Sequence, residues 1–215
     1  MRNVKIVSIL LLLVLLLNIV MQMSPLVRAG TYDRNKAVNY ARANAHTRPG
    51  NYPSYGRMGD CDGCRDCTNF SSQVLEAGGY PQRKGADDVW HWFCEKKTLG
   101  WNVSRTWRIT PDFNGYAHQY PAEFGIVCWP GCLEKGDFIL LDLDRDGSPD
   151  HARVVLDTGP ISQDQNDYKD TCNNNLPIPP PQSTLRVAQH CADRNNVAWD
   201  YRIGDAKGWG IHVKW

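Results

Sequence analysis

Cys67 has the widest choice of chemistry in this chain. It closes the run "CDGCRDC", in which Cys61, Cys64 and Cys67 recur every third residue, and it opens "CTNFSSQVLEAGG", which reads as a helix. Three roles compete: metal ligand, half of a disulfide, or nucleophile. A ferredoxin-type cluster needs another cysteine close behind, and none follows. A zinc site would need a further ligand from afar, such as Cys94 or His91. A thiol at the first turn of a helix instead faces unpaired backbone N–H groups and the positive end of the dipole, and both favour the thiolate. Its base would be a strand-borne histidine. His151 opens "HARVVL" and His190 ends "TLRVAQH", so the order is helix-borne cysteine, strand-borne histidine, then a polar group on the next strand.

Compartment bears on that choice. Arg2 and Lys5 precede an apolar run from Ile6 to about Val20, and Val27-Arg28-Ala29 fits a small-residue cleavage site. Residues 1–29 therefore read as a signal peptide, with an uncleaved signal anchor as the alternative. Gly30–Trp215 reads as one exported domain. Outside the cytosol, cysteines default to disulfides. Eight are present: Cys61, Cys64, Cys67, Cys94, Cys128, Cys132, Cys172 and Cys191. A free Cys67 leaves an odd number to pair, which counts against the nucleophile; the other seven are expected mostly oxidised. With 24 Lys+Arg against 23 Asp+Glu, there is no basic stripe for nucleic acid. No second apolar run is long enough to hold the mature chain in a membrane.

The elements that must position these residues are helices first and strands later. "TYDRNKAVNYARANAH" carries one apolar stripe, Ala37, Tyr40, Ala41 and Ala45. Asp66 is a suitable N-cap for the helix beginning at Cys67, Phe70, Val74 and Ala77 share a face, and Gly78-Gly79 supply a stop. From Tyr80 to Leu133 the pattern is irregular, with one short helix expected at "DVWHWFCEKK" (88–97). "DFILLDL" (137–143) and "HARVVL" (151–156) flank a polar turn and read as a hairpin. Prolines exclude regular structure from the loop at 159–183. "TLRVAQH" (184–190) and the terminal "WGIHVKW" complete the strands. The fold class expected is α+β with an antiparallel sheet.

Taken in order, "YDRNKAVNYARANA", "NYPSY", "DCTNFSSQVLEAGG", the trio Trp101, Trp107 and Tyr116, "KGDFILLD" and "DGSPDHARVV" resemble the putative amidase domain family of secreted bacterial proteins. That family is a branch of the papain-like group that includes NlpC-type and CHAP-type cell-wall hydrolases. The resemblance spans about Tyr32 to Asp193. It implies a papain-like arrangement, with a helix-borne cysteine packed on an antiparallel sheet. It also implies a nucleophile at Cys67, a base at His151, a third polar group at His190, and no cofactor. Asp193 or Asp157 are the alternatives for the third position. The implied substrate is an amide bond of peptidoglycan or peptide, and the implied location is extracellular or cell-wall associated. A non-catalytic wall-binding domain with Cys67 locked in a disulfide is the competing reading.

Three weaker signals remain. "DLDRDGSPD" matches part of a calcium loop through Asp142, Asp144, Asp146, Gly147 and Asp150, but Arg153 stands at the twelfth position in place of glutamate. Polar turn chemistry accounts for the same residues, so the turn is expected to form without metal. The eight tryptophans could line a sugar groove, though packing is their commoner use. Asn69 and Asn102 match the glycosylation triplet. His46, His91, His118 and His212 read as structural or surface residues.

Overall fold

Helix α1 (Arg34–Asn44) begins where Asp33 accepts a hydrogen bond from the Lys36 N–H at 3.0 Å, as an N-cap does. It buries Ala37, Val38 and Ala41, whose small side chains bring it close to α2 (Cys67–Ala77). This computed structural model describes residues 30–56, 65–127, 133–158, 185–191, 193–198 and 207–215, and residues 31–215 form one compact unit. The signal reading, the cysteines at 61, 64, 128, 132 and 172, and the proline-rich loop lie outside the described residues. Among the described residues no helix is long and apolar enough to cross a membrane.

Every residue of α2 from Cys67 to Leu75 is buried. Phe70 and Val74 enter the core, each stabilising the fold by roughly 1.5–3 kcal/mol. The helix's polar residues are satisfied internally: Ser71 Oγ donates to the Cys67 carbonyl, and Ser72 Oγ donates to the Trp107 carbonyl while accepting from Trp92 Nε1. The helix stops at Gly78-Gly79 as expected. Gly78 is required by space, since a Cβ there would lie 2.0 Å from the Tyr32 ring, and Gly79 by its φ of +95°.

The stretch 88–97 is not helical. It leads into β1 (Cys94–Lys97), which pairs antiparallel with β2 (Gly100–Val103) in a hairpin whose Gly100 has φ +101°. Trp92 exchanges both backbone hydrogen bonds with Arg83 at 2.8 Å, an antiparallel bridge that holds this stretch extended. The helices of this region come later, as α3 (Arg105–Arg108) and α4 (Thr110–Gln119). Pro111 sits in the first turn of α4, where its missing N–H costs nothing.

The remaining strands form one antiparallel sheet. β3 (Phe124–Val127), β4 (Phe138–Asp142), β5 (His151–Asp157), β6 (Arg186–Gln189), β7 (Arg194–Ala198) and β8 (Lys207–Val213) lie in the order β3-β8-β4-β5-β6-β7. The architecture is α+β, and the expected β4–β5 hairpin is present with Leu141 opposite His151. Alternation divides the sheet residues between two apolar clusters. Phe138, Leu140, Ala152, Val154, Leu156 and Ala188 join the helices, whereas Ile139, Leu141, Val155 and Val187 join Leu133 and Leu185 on the other face. Trp92 and Trp107 are fully buried with ring centroids 4.5 Å apart, so these two tryptophans pack the core.

Candidate active site

Cys67 is a free, buried thiol on the first residue of α2. Its sulfur lies 3.8 Å from Thr68 Oγ1 and 4.0 Å from Thr110 Oγ1, and those two hydroxyls bond each other at 2.7 Å. Backbone N–H groups of Ala152 and Thr68 also point at it. Burial pushes the thiol up. The donors, led by the Ala152 N–H, pull it back down without reversing the shift. At rest the group is a thiol ringed by donors that would hold a thiolate.

The sulfur opens into a cleft of about 490 Å³. One wall carries Arg65 and Arg108, and the β4–β5 turn contributes Asp146, Ser148 and Asp150. A peptide bearing both carboxylate and amine groups meets complementary charge on the two sides. The Asp150 carboxyl is itself raised, first by burial and also by Asp144 and Asp142 nearby.

Asp66 was expected to cap α2, yet its side chain makes no cap hydrogen bond. Its carboxylate is fully buried and gathers four partners instead. Oδ1 accepts from the Tyr55 N–H at 3.0 Å and Asn69 Nδ2 at 2.8 Å. Oδ2 meets Arg48 Nε at 2.9 Å and His190 Nδ1 at 2.6 Å. Arg48 in turn pairs with Asp193 at 2.7 Å. His190 stacks on Phe70 with centroids 4.0 Å apart, and its Nε2 lies 2.9 Å from the Asn44 carbonyl. Both ring nitrogens face acceptor oxygens.

His190 therefore supports the start of α2 and does not hold the ring of His151. Asp193 is committed to Arg48 and the Cys191 N–H, and Asp157 is exposed at the far end of β5. The residue that hydrogen-bonds His151 is Gln189, immediately before His190. Gln189 Nε2 also donates to the Cys191 carbonyl at 2.5 Å, which fixes the amide. Period-two alternation could have found it: residues 187 and 189 share the face of His151, and residue 190 does not.

His151 is the first residue of β5 and is buried. Alternation puts it on the face of Leu141 and Val155, while the N–H of the next residue, Ala152, reaches Cys67. Cys67 and His151 therefore lie by neighbouring residues of one strand but on opposite faces of the sheet, and among the described residues no hydrogen bond joins them. Burial first, then the charge of Arg153, holds the His151 ring down at about 3, against the opposing bond from Gln189. The ring is neutral at physiological pH. The resting pair is thiol and imidazole, not the thiolate and imidazolium that the helix position suggests.

That shift has a sign that can be measured. Because the folded value lies below the ordinary 6.5, the unfolded chain takes the proton first as pH falls. His151 contributes stability that is intact above pH 6.5 and lost on acidification towards 3, at up to about 1.4 kcal/mol per pH unit. Urea midpoints should fall between pH 7 and pH 5, and His151→Gln should flatten that fall.

Cys94 is a free thiol like Cys67, an exception to the expectation that most of the other seven cysteines are oxidised. Burial and the charges of Glu76 and Glu95 push it up to about 12. Among the described residues, Cys67 and Cys94 are free thiols and Cys191 is disulfide-bonded. Cys67 is thus not held in a bridge. Asn69 is fully buried and bonded to Pro53, Asp66 and Trp107, which removes it as a glycan acceptor.

The chain is 31% identical over 131 residues to "Uncharacterized protein YhbB" of Bacillus subtilis (strain 168), covering 60% of this chain. It spans 38% of the length of that curated relative. No solved structure matches the chain. The family model described as "Putative amidase domain" matches residues 31–213, from before α1 through the last strand. The chain belongs to the Putative amidase domain family.

Proposed function

We propose that this protein is an exported cysteine amidase or peptidase on a papain-like scaffold. In this reading a signal peptide covers residues 1–29 and a single catalytic domain covers 30–215. The observation that carries it is the free thiol of Cys67 at the first turn of α2, opening into a cleft and ringed by hydrogen-bond donors. The substrate is an amide bond of peptidoglycan, in the stem peptide or between peptide and sugar. Walls of opposite charge suit such a peptide.

In this reading the His151 imidazole, which strand alternation leaves on the face opposite Cys67, turns about the start of β5 to reach the thiol when substrate binds. His151 takes the thiol proton and the sulfur attacks the carbonyl carbon. Backbone N–H groups at the start of α2 stabilise the oxyanion. His151 then protonates the leaving amine, and water hydrolyses the thioester. Gln189 orients the ring.

Incubating the purified protein with purified peptidoglycan and assaying new free amines tests the reading. Iodoacetamide added to the unreduced protein should block release, with peptide mapping finding the label on Cys67 and little on Cys94. No amine release from any cell-wall amide, together with an unlabelled Cys67, would overturn it.

A further inference from the structure

We propose that the β4–β5 turn binds a calcium-like divalent cation through Asp142, Asp144 and Asp146. One carboxylate oxygen from each lies within 4.8 Å of the other two. Ligands of one calcium ion sit 2.3–2.6 Å from it, so oxygens at such separations can share an ion. A second observation comes from Asp142 alone. It is fully buried, its Oδ2 accepts the Gly147 N–H at 3.0 Å, and its Oδ1 has no hydrogen-bond partner. A buried carboxylate oxygen without a donor is costly, and a cation is the partner it lacks.

The rest of the turn is arranged so that each carboxylate keeps an oxygen to spare. Asp144 Oδ1 accepts the Asp146 N–H, and Asp146 Oδ1 accepts the Ser148 N–H. Asp150 Oδ2 accepts from the N–H groups of Leu143 and Asp144, which fixes its carboxylate at the loop's ninth position. Arg145 and Gly147 have φ of +66° and +95°, which curl the backbone around the cluster. Polar turn chemistry explains these bonds, as the sequence suggests. It leaves Asp142 Oδ1 unexplained.

Oxygen donors alone favour a hard cation, and a flexible turn completed by water favours calcium over magnesium. Without a glutamate at the twelfth position, affinity falls in the weak range of extracellular modules, with Kd on the order of 10⁻⁴–10⁻³ M. The location gives the ion a use. Asp146, Ser148, Pro149 and Asp150 line the Cys67 cleft, and His151 follows directly, so an ion would stiffen that wall.

The test does not depend on the amidase reading. The purified protein, stripped with chelator, is titrated with calcium chloride by calorimetry and melted with calcium or chelator present. One saturable site and a midpoint rise of about 5 °C at tenfold or greater excess over Kd are expected, with a smaller rise in magnesium. Asp144 and Asp146 are exposed, so the double variant Asp144→Asn, Asp146→Asn should melt like wild type in chelator and lose both binding heat and shift. Equal melting in calcium and chelator without binding heat would overturn the proposal. So would full binding by the double variant.

Discussion

Replacing Cys67 with alanine is expected to abolish amide hydrolysis, lowering turnover by about four orders of magnitude or more. On the proposed mechanism the sulfur forms the acyl intermediate, and no neighbour can replace it. Thr68 and Thr110 offer hydroxyls near the same point, but they are hydrogen-bonded to each other, which leaves them poorly placed for activation by His151. The fold should tolerate the change at a cost of about 1 kcal/mol, because one small side chain at a cleft wall is shortened. His151→Ala should cost nearly as much turnover as Cys67→Ala, and the double variant little more, because the two act as a unit. Gln189→Ala should leave measurable turnover, since it orients the ring and does not react. Rates of amine release beside circular dichroism melts make the comparison. Turnover by folded Cys67→Ala within tenfold of the native rate would sink the assignment.

The largest stability effect should come from Asp66→Ala, a loss of about 3–5 kcal/mol, which is what removing one partner from a buried ion pair costs. The truncation leaves the guanidinium of Arg48 and the ring of His190 without their shared acceptor. It also strips a partner from the Tyr55 N–H and Asn69 Nδ2. Asp66→Asn should cost less, because its carbonyl oxygen can still accept. His190→Ala should likewise lower the urea midpoint more than it lowers the turnover of the folded fraction, because the ring touches Asp66 and Asn44 and not His151. A midpoint for Asp66→Ala within about 1 kcal/mol of native would show that the cluster is not what holds the start of α2.

Much of this was legible in the sequence wherever local signals and burial agree. The helix at Cys67 ends at a glycine pair that both space and backbone require. The β4–β5 hairpin follows from two apolar runs around an acidic turn. The failures have physical causes. Residues 88–97 looked helical because their aromatics cluster, yet Trp92 is held by partners distant in sequence, including Ser72. Strands β3 and β7 are short and exist only by pairing with β8 and β6. Asp66 carries a cap signal, but a half-buried arginine and a buried histidine, Arg48 and His190, compete for its oxygens. Strand order points to His190 as the orienting group, whereas Gln189 is the residue in contact. One step along a strand exchanges the sheet's faces, and sequence spacing alone did not show which residue faced His151.

The same alternation makes the acidic turn a ruler. Surface loops ordinarily absorb insertions and deletions. Here Leu141 pairs with His151, and the segment between them sets which β5 residues point to each side. If one added residue shifted β5 a single step against β4, His151 and Arg153 would trade places with Ala152 and Val154. Arg153 would then be driven among Phe138, Leu140 and the helices, and the ring of His151 would leave Gln189. The sheet therefore constrains the length of this turn, quite apart from what its carboxylates bind.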